Sequence, residues 1–412
     1  THSSSKNLPV YIDPHNLILR HAAILGSTGS GKSNTTANLI KRMLGKYPGS
    51  RVVLIDPHGE YSAAFIDTSK VFKINSQTSP LSIPFWAMTF DELTFFLVGR
   101  PEGQERPEDK QLREKIVQLK KDNAIKIKSG AIDINYITAD SPIPFNIKKL
   151  WHDMDREVNG TFSATNEQDQ TRANEKLVDE GDVNKLIAAK FEAYSPTNSA
   201  PYKSKKQTMY SYVGKIYSRL KDSRYSFMFN PDDYYDVDSP NDLDHLLREW
   251  INHDHRLTIL DLSGVPFELI DISVGLITRF LYDSMYWGRN EEYTGRNRPL
   301  LMVYEEAHSY LPKSESSSHI YGYARRAVEK IFKEGRKFGI GSIVVTQRPS
   351  EISETILAQV GTFIALRLTN SSDKNTVQSN DPDLISSWSK PFNKDDDNYV
   401  SVVKAIREQK LN

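Results

Sequence analysis

The chain has 412 residues, enough for two or three domains or for one large α/β core with an insertion. Its 53 lysines and arginines balance 53 aspartates and glutamates, so there is no global basic field, and a polyanion must be held by local clusters or by repetition in an oligomer. The absence of cysteine excludes disulfides, thiolate catalysis and zinc–cysteine sites. No apolar run approaches the ~18 residues of a membrane helix, and the opening Thr1-His2-Ser3-Ser4-Ser5 lacks the apolar core of a signal peptide, which predicts a cytoplasmic protein with no membrane partner.

Residues 6–20 form a polar, proline-punctuated lead-in ending on Asn16-Leu17-Ile18-Leu19-Arg20. Little precedes the motif that follows, so any amino-terminal domain is expected to lie outside this sequence. The apolar run Ala22-Ala23-Ile24-Leu25 leads into Gly26-Ser27-Thr28-Gly29-Ser30-Gly31-Lys32-Ser33, and Ala37, Ile40, Met43 and Leu44 then recur at helical spacing. Strand, glycine-rich loop and helix are the context a Walker A motif requires. Glycines at 26, 29 and 31 admit dihedrals closed to other residues, so successive N–H groups can face a phosphate chain at the positive end of the helix. Lys32 is then expected at the β- and γ-phosphates of ATP, the Ser33 hydroxyl on Mg²⁺, and the stretch from Gly26 through Asn34 against the nucleotide.

Arg51-Val52-Val53-Leu54-Ile55-Asp56 reads as a buried parallel strand that ends in a carboxylate. The loop that follows, Asp56-Pro57-His58-Gly59-Glu60-Tyr61, is expected near the phosphates, because ligands of open α/β sheets sit outside the carboxyl ends of the strands. Asp56 and Glu60 are candidates to orient water or Mg²⁺; the alternative is a solvated turn held by Gly59. Strand texture then stops. Phe90 to Val98, Gln111 to Lys128 and Met209 to Leu220 have helical spacing, with a polar, low-apolar tract from about Thr161 to Asp182 between them. This predicts a mostly helical insertion over 96–235, between core segments 1–95 and 236–412. In it Lys203, Lys205 and Lys206 make a small basic knot beside Tyr202 and Tyr210, a solvated face or a nucleic-acid contact.

Strands return with Arg256 to Leu262, followed by an amphipathic helix from about Ile270 to Trp287 and by Pro299-Leu300-Leu301-Met302-Val303-Tyr304-Glu305-Glu306-Ala307-His308. An apolar strand ending in two carboxylates reads as a Walker B, with Glu305 on the metal side and Glu306 polarising the attacking water. Tyr323 to Lys337 reads as a basic helix carrying Arg336. The strand Ser342 to Thr346 then ends in Gln347-Arg348, where Gln347 can hydrogen-bond a γ-phosphate or its water. Two more strands, Thr362 to Leu368 and Asn398 to Ala405, close the sheet.

Taken together, Arg20-His21, the Walker A stretch, Asp56-Pro57-His58-Gly59-Glu60-Tyr61, Glu305-Glu306-Ala307-His308, Lys333 to Gly339, Gln347-Arg348-Pro349-Ser350 and Leu366-Arg367-Leu368-Thr369-Asn370 resemble HerA in order and spacing. The resemblance implies a RecA-like P-loop NTPase core with a mainly parallel sheet, and a homo-hexameric translocase of double-stranded DNA of the HerA/FtsK group. It also implies an amino-terminal β-barrel that this sequence does not contain, and a nuclease or sirtuin-like effector as partner, in DNA end processing or antiphage defence. Residue by residue, it makes Glu306 the base, Glu305 and Ser33 the metal side, Gln347 the sensor, Arg336 the arginine finger of a neighbouring subunit and Arg20 a second interface arginine near the phosphates. A ring that serves chiefly as an ATP-regulated scaffold for its effector is the other reading.

Overall fold

The computed structural model describes residues 20–74, 76–99, 106–126, 133–164, 166–195, 201–204, 207–229, 243–292, 294–314, 322–380 and 401–404. Eight strands make the principal sheet: β1 (Ala22–Leu25), β2 (Arg51–Asp56), β3 (Lys70–Lys73), β4 (Leu257–Asp261), β5 (Leu300–Tyr304), β6 (Ile340–Thr346), β7 (Thr362–Ala365) and β8 (Ser401–Lys404). Their order is β8-β7-β1-β6-β5-β2-β4-β3. Every pairing is parallel except β7 with β8, which is antiparallel. β1, β2, β4, β5, β6 and β7 are buried along their whole length, as their near-continuous apolar runs require of a sheet covered on both faces.

Alternate residues sort the two faces. Ile24, Leu54, Val303, Val345 and Ile364 join one core cluster with Ile40, Met43 and Leu44 of helix α1 (Lys32–Lys46). On the other face lies α2 (Phe267–Trp287), whose Thr278 hydroxyl meets the Tyr304 hydroxyl of β5 at 3.3 Å. Gly275 of α2 allows the backbone of α3 (Tyr323–Glu334) to approach, since a Cβ there would stand 2.9 Å from the Tyr323 carbonyl carbon. Buried Asp271 accepts from the Ala324 N–H at 2.9 Å, which satisfies one of the orphan donors at the start of α3. The basic helix read from Tyr323 to Lys337 ends three residues early: Gly335–Phe338 tightens to a 3₁₀ turn, and Gly339, at φ 79°, leads into β6. α2 begins at Phe267, one turn before the predicted start.

Ser82–Asp242 forms a compact unit of its own. Its main helices are Phe90–Val98, Pro107–Lys126, Ile147–Asn159 and Tyr210–Lys221. The first opens on a capping box between Thr89 and Glu92. Strand structure does not stop here as the sequence suggested. Thr161–Phe162 pairs antiparallel with Tyr202–Lys203, and Leu177–Asp179 with Lys190–Phe191, so the polar tract is built into short ladders. Low apolar content hid them, because backbone pairing this short needs no apolar face. Fully buried Lys120 ties the unit together by donating to the carbonyls of Trp86, Ala139 and Ser141 at 3.1, 2.6 and 2.6 Å. Its burial lowers the ammonium pKa to about 8.

Candidate active site

The carboxyl ends of β1, β2, β5 and β6 converge on one edge of the sheet. At the end of β1, Gly26 N–H donates to the Thr346 carbonyl, and Ser27 donates through both N–H and hydroxyl to the Arg367 carbonyl at 2.8 and 2.9 Å. The loop is thus pinned to its neighbours on both sides. Gly29 and Gly31 sit at φ 76° and 95°, where a side chain is strained. Gly26 is needed for another reason: a Cβ there would meet Ser30 Oγ at 2.4 Å and Leu366 Cβ at 2.8 Å. Lys32 is buried at the start of α1 and reaches back to the Ser27 carbonyl at 3.4 Å. Thr28 Oγ1 donates to Gln347 Oε1 at 2.5 Å, which links the glycine-rich loop to the end of β6.

At the end of β2, the fully buried Asp56 carboxylate accepts from the backbone N–H groups of Gly59 and Tyr61 at 2.9 and 3.0 Å, and from His58 at 3.3 Å. Burial raises its pKa, opposed by backbone N–H groups of the same turn. Asp56 therefore holds its own turn. Gly59, at φ 71°, completes that turn. Glu60 is exposed and accepts from Ser33 Oγ at 3.1 Å.

Beyond β5 the two glutamates part. Glu305 is 2% exposed, and its Oε2 accepts from the Tyr61 phenol at 2.7 Å. Burial pushes its carboxyl up to about 7, helped by the charges of Glu306 and Asp56 and opposed by the phenol and by Lys32. Glu306 takes a left-handed conformation, φ 46° and ψ 43°, which is uncommon for a residue with a Cβ. Ser309 fixes this bend by donating to the Glu306 carbonyl through N–H at 2.9 Å and hydroxyl at 2.8 Å. His308 Nδ1 stands 3.2 Å from Glu306 Oε2, and Oε2 is buried without a hydrogen-bond donor among the described residues. Burial lowers the His308 pKa, which keeps the ring neutral near pH 7. A buried, unpartnered carboxylate oxygen beside a phosphate-binding loop is suited to holding a water.

A family model described as "Helicase HerA, central domain" matches residues 1–281. The chain belongs to the HerA family. The DNA double-strand break repair helicase HerA of Saccharolobus solfataricus is 26% identical over 374 residues, which cover 90% of this chain and 59% of that protein. The helicase of the same name from Pyrococcus furiosus is 25% identical over 400 residues, covering 90% and 60%. The chain thus spans about three-fifths of the length of these curated relatives. The solved structure of VirB4 of Thermoanaerobacter pseudethanolicus superposes with a TM-score of 0.51 at 14% identity, over 87% of this chain and 80% of that one, a likeness of fold. An α/β core of P-loop ATPase type with a mainly parallel sheet agrees with both comparisons.

The two arginines marked by the HerA resemblance lie elsewhere. Arg20 and His21 precede β1, and Arg336 sits in the turn before β6, so all three are at the amino edge of the sheet. Arg20 is on the order of 15 Å from this chain's own P-loop by strand rise alone, so only the site of another subunit is open to it as an interface arginine. His21 stacks on Phe332 of α3 with ring centroids 4.5 Å apart. Its burial, together with the charge of Arg336, lowers its pKa to about 4. The exposed Arg336 guanidinium has no hydrogen-bond or ion-pair partner among the described residues.

The basic clusters fare differently. Lys313 pairs with Glu354 at 2.6 Å and Arg325 with Glu329 at 2.9 Å, while Arg326 lies over the Tyr323 ring. In the insertion, Lys203 lies over Tyr210, and Lys205 and Lys206 are outside the described residues. Sequence reasoning missed three contributors: Tyr61, His308 and the Thr346 hydroxyl, which lies 3.3 Å from His308 Nδ1. The position of Tyr61, directly after a loop that ends a buried strand, was the available signal.

Proposed function

We propose that the chain is the motor portion of a ring-forming, Mg²⁺-dependent ATP hydrolase that moves double-stranded DNA. In this reading Lys32 and the loop from Gly26 to Asn34 hold the phosphates, and Ser33 and Glu305 face the metal side. Glu306 accepts a proton from the attacking water, and Gln347, already tied to Thr28, follows the γ-phosphate. Mg²⁺, when bound, neutralises phosphate charge. The observation that carries the reading is the buried Glu306 oxygen without a donor, on the same edge as the glycine-rich loop. Arg336 serves the site of a neighbouring subunit in a homo-hexamer, with Arg20 beside it at the interface. The curated relatives are named as DNA double-strand break repair helicases, which supports duplex DNA as the substrate; a nuclease partner, and work in the cytoplasm in end processing or antiphage defence, are part of the proposal.

A second reading is favoured by the cations already spent within the chain, Lys313 on Glu354 and Arg325 on Glu329. There the ring is an ATP-regulated scaffold that activates a nuclease or sirtuin-like effector with little translocation. Duplex titration of the ATPase separates the two. A motor is stimulated severalfold by duplex without a partner, only as an oligomer, and its binding weakens with salt by a slope of about −0.9 per phosphate contact. Hydrolysis that duplex leaves unchanged and an effector raises would favour the scaffold.

A further inference from the structure

Two consecutive residues of the turn after β2 face different walls of the site. Glu60 accepts from the Ser33 hydroxyl at 3.1 Å, and the Tyr61 phenol donates to Glu305 at 2.7 Å. The Tyr61 ring is 1% exposed and belongs to the core cluster that covers one face of the sheet, so its hydroxyl has little freedom to move. That hydroxyl also lies against Ser33 and Thr36 of α1. The three bonds from the turn to Asp56 fix the backbone that carries both residues. One rigid turn thereby touches the first turn of α1 and the end of β5.

The hydrogen-bond directions have a chemical consequence. A serine hydroxyl offers a lone pair to a cation only if its proton points elsewhere, and Glu60 takes that proton. Glu305 keeps one carboxylate oxygen for the metal side because the other is held by the phenol. A phenylalanine would fill the core equally well, so packing alone does not explain the hydroxyl.

We infer that Glu60 and Tyr61 are positioning residues that act as one clasp, orienting Ser33 and Glu305 toward the divalent cation of a nucleotide. The inference rests on the ATP and Mg²⁺ reading above. Its test uses the full chain, Mn²⁺ as the probe with a non-hydrolysable ATP analogue, and spin resonance as the readout of bound metal. Nucleotide affinity is measured separately in chelator. Tyr61→Phe should keep the metal-free nucleotide affinity within about twofold, weaken Mn²⁺ about tenfold or more, and lower kcat about tenfold at unchanged KM, the range typical for partners of metal ligands.

Glu60→Ala alters an exposed side chain and should weaken Mn²⁺ about fivefold without changing the melting temperature, with partial recovery in Glu60→Gln, whose amide oxygen still accepts. Should Tyr61→Phe fail to fold, the Glu60 pair decides. Parental Mn²⁺ affinity in the folded variants overturns the clasp while the nucleotide reading stands. A parent chain that binds neither the analogue nor Mn²⁺ with it overturns both.

Discussion

The two edges of the principal sheet differ in how their side chains are spent. At the carboxyl edge several polar side chains pair within the same site, Thr28 with Gln347, Ser33 with Glu60 and Tyr61 with Glu305, and Asp56 holds its own turn. At the amino edge the Arg336 guanidinium stands exposed without a hydrogen-bond partner among the described residues, and His21 is held neutral by burial beside it. Phosphoryl transfer needs both kinds of group, a preorganised cradle and a cation for the charge of the transition state. One strand length separates them within a chain. The contrast is the ground of the proposed shared site, in which the carboxyl edge of one subunit meets the amino edge of the next.

The largest expected effects lie at the carboxyl edge. Lys32→Ala should lose ATP binding altogether, measured by a fluorescent analogue. Glu306→Gln should bind ATP like the parent yet turn it over at least ~100-fold more slowly, since a positioned base supplies about two orders of magnitude. Near-parental turnover by Glu306→Gln would remove the base from that edge and break the comparison there.

A smaller effect tests the amino edge. The folded-state pKa of His21 is about 4, below its ordinary 6.5, so the unfolded chain binds a proton that the native one refuses between those values. Stability is therefore full above about pH 6.5 and falls as the pH drops towards 4, by about 3 kcal/mol from this residue. His253, lowered to about 4 mainly by burial, adds to the same acid limb. His21→Asn, a residue that tolerates φ 54°, should flatten the limb by the His21 share in denaturant titrations at several pH values. An unchanged slope would mean that His21 is not buried neutral at this edge.

How much of this was legible in the sequence depended on how local the signal was. The strands β1, β2, β5 and β6 announce themselves as apolar runs, and the glycine spacing fixes the loop after β1, so the carboxyl edge could be assembled from the chain alone. Pairings between distant residues were not legible. Nothing in the run Glu305-Glu306 tells that one is buried against a tyrosine 244 positions away while the other bends into a left-handed turn. Nor does the sequence tell that Lys313 is paired with Glu354 and Arg325 with Glu329. The short ladders at 161–162 and 177–179 were missed because two- and three-residue strands carry no period to read.

Subunit mixing tests the shared site most directly. Arg336→Ala should assemble and bind ATP but lose turnover, as should Glu306→Gln, and neither should hydrolyse ATP alone. Mixed under conditions in which subunit exchange is shown by labelled chains, the two should recover a measurable fraction of parental hydrolysis, because some interfaces then join an intact Arg336 to an intact Glu306. Mixed rings that exchange subunits and stay inactive would contradict a site shared between the two edges.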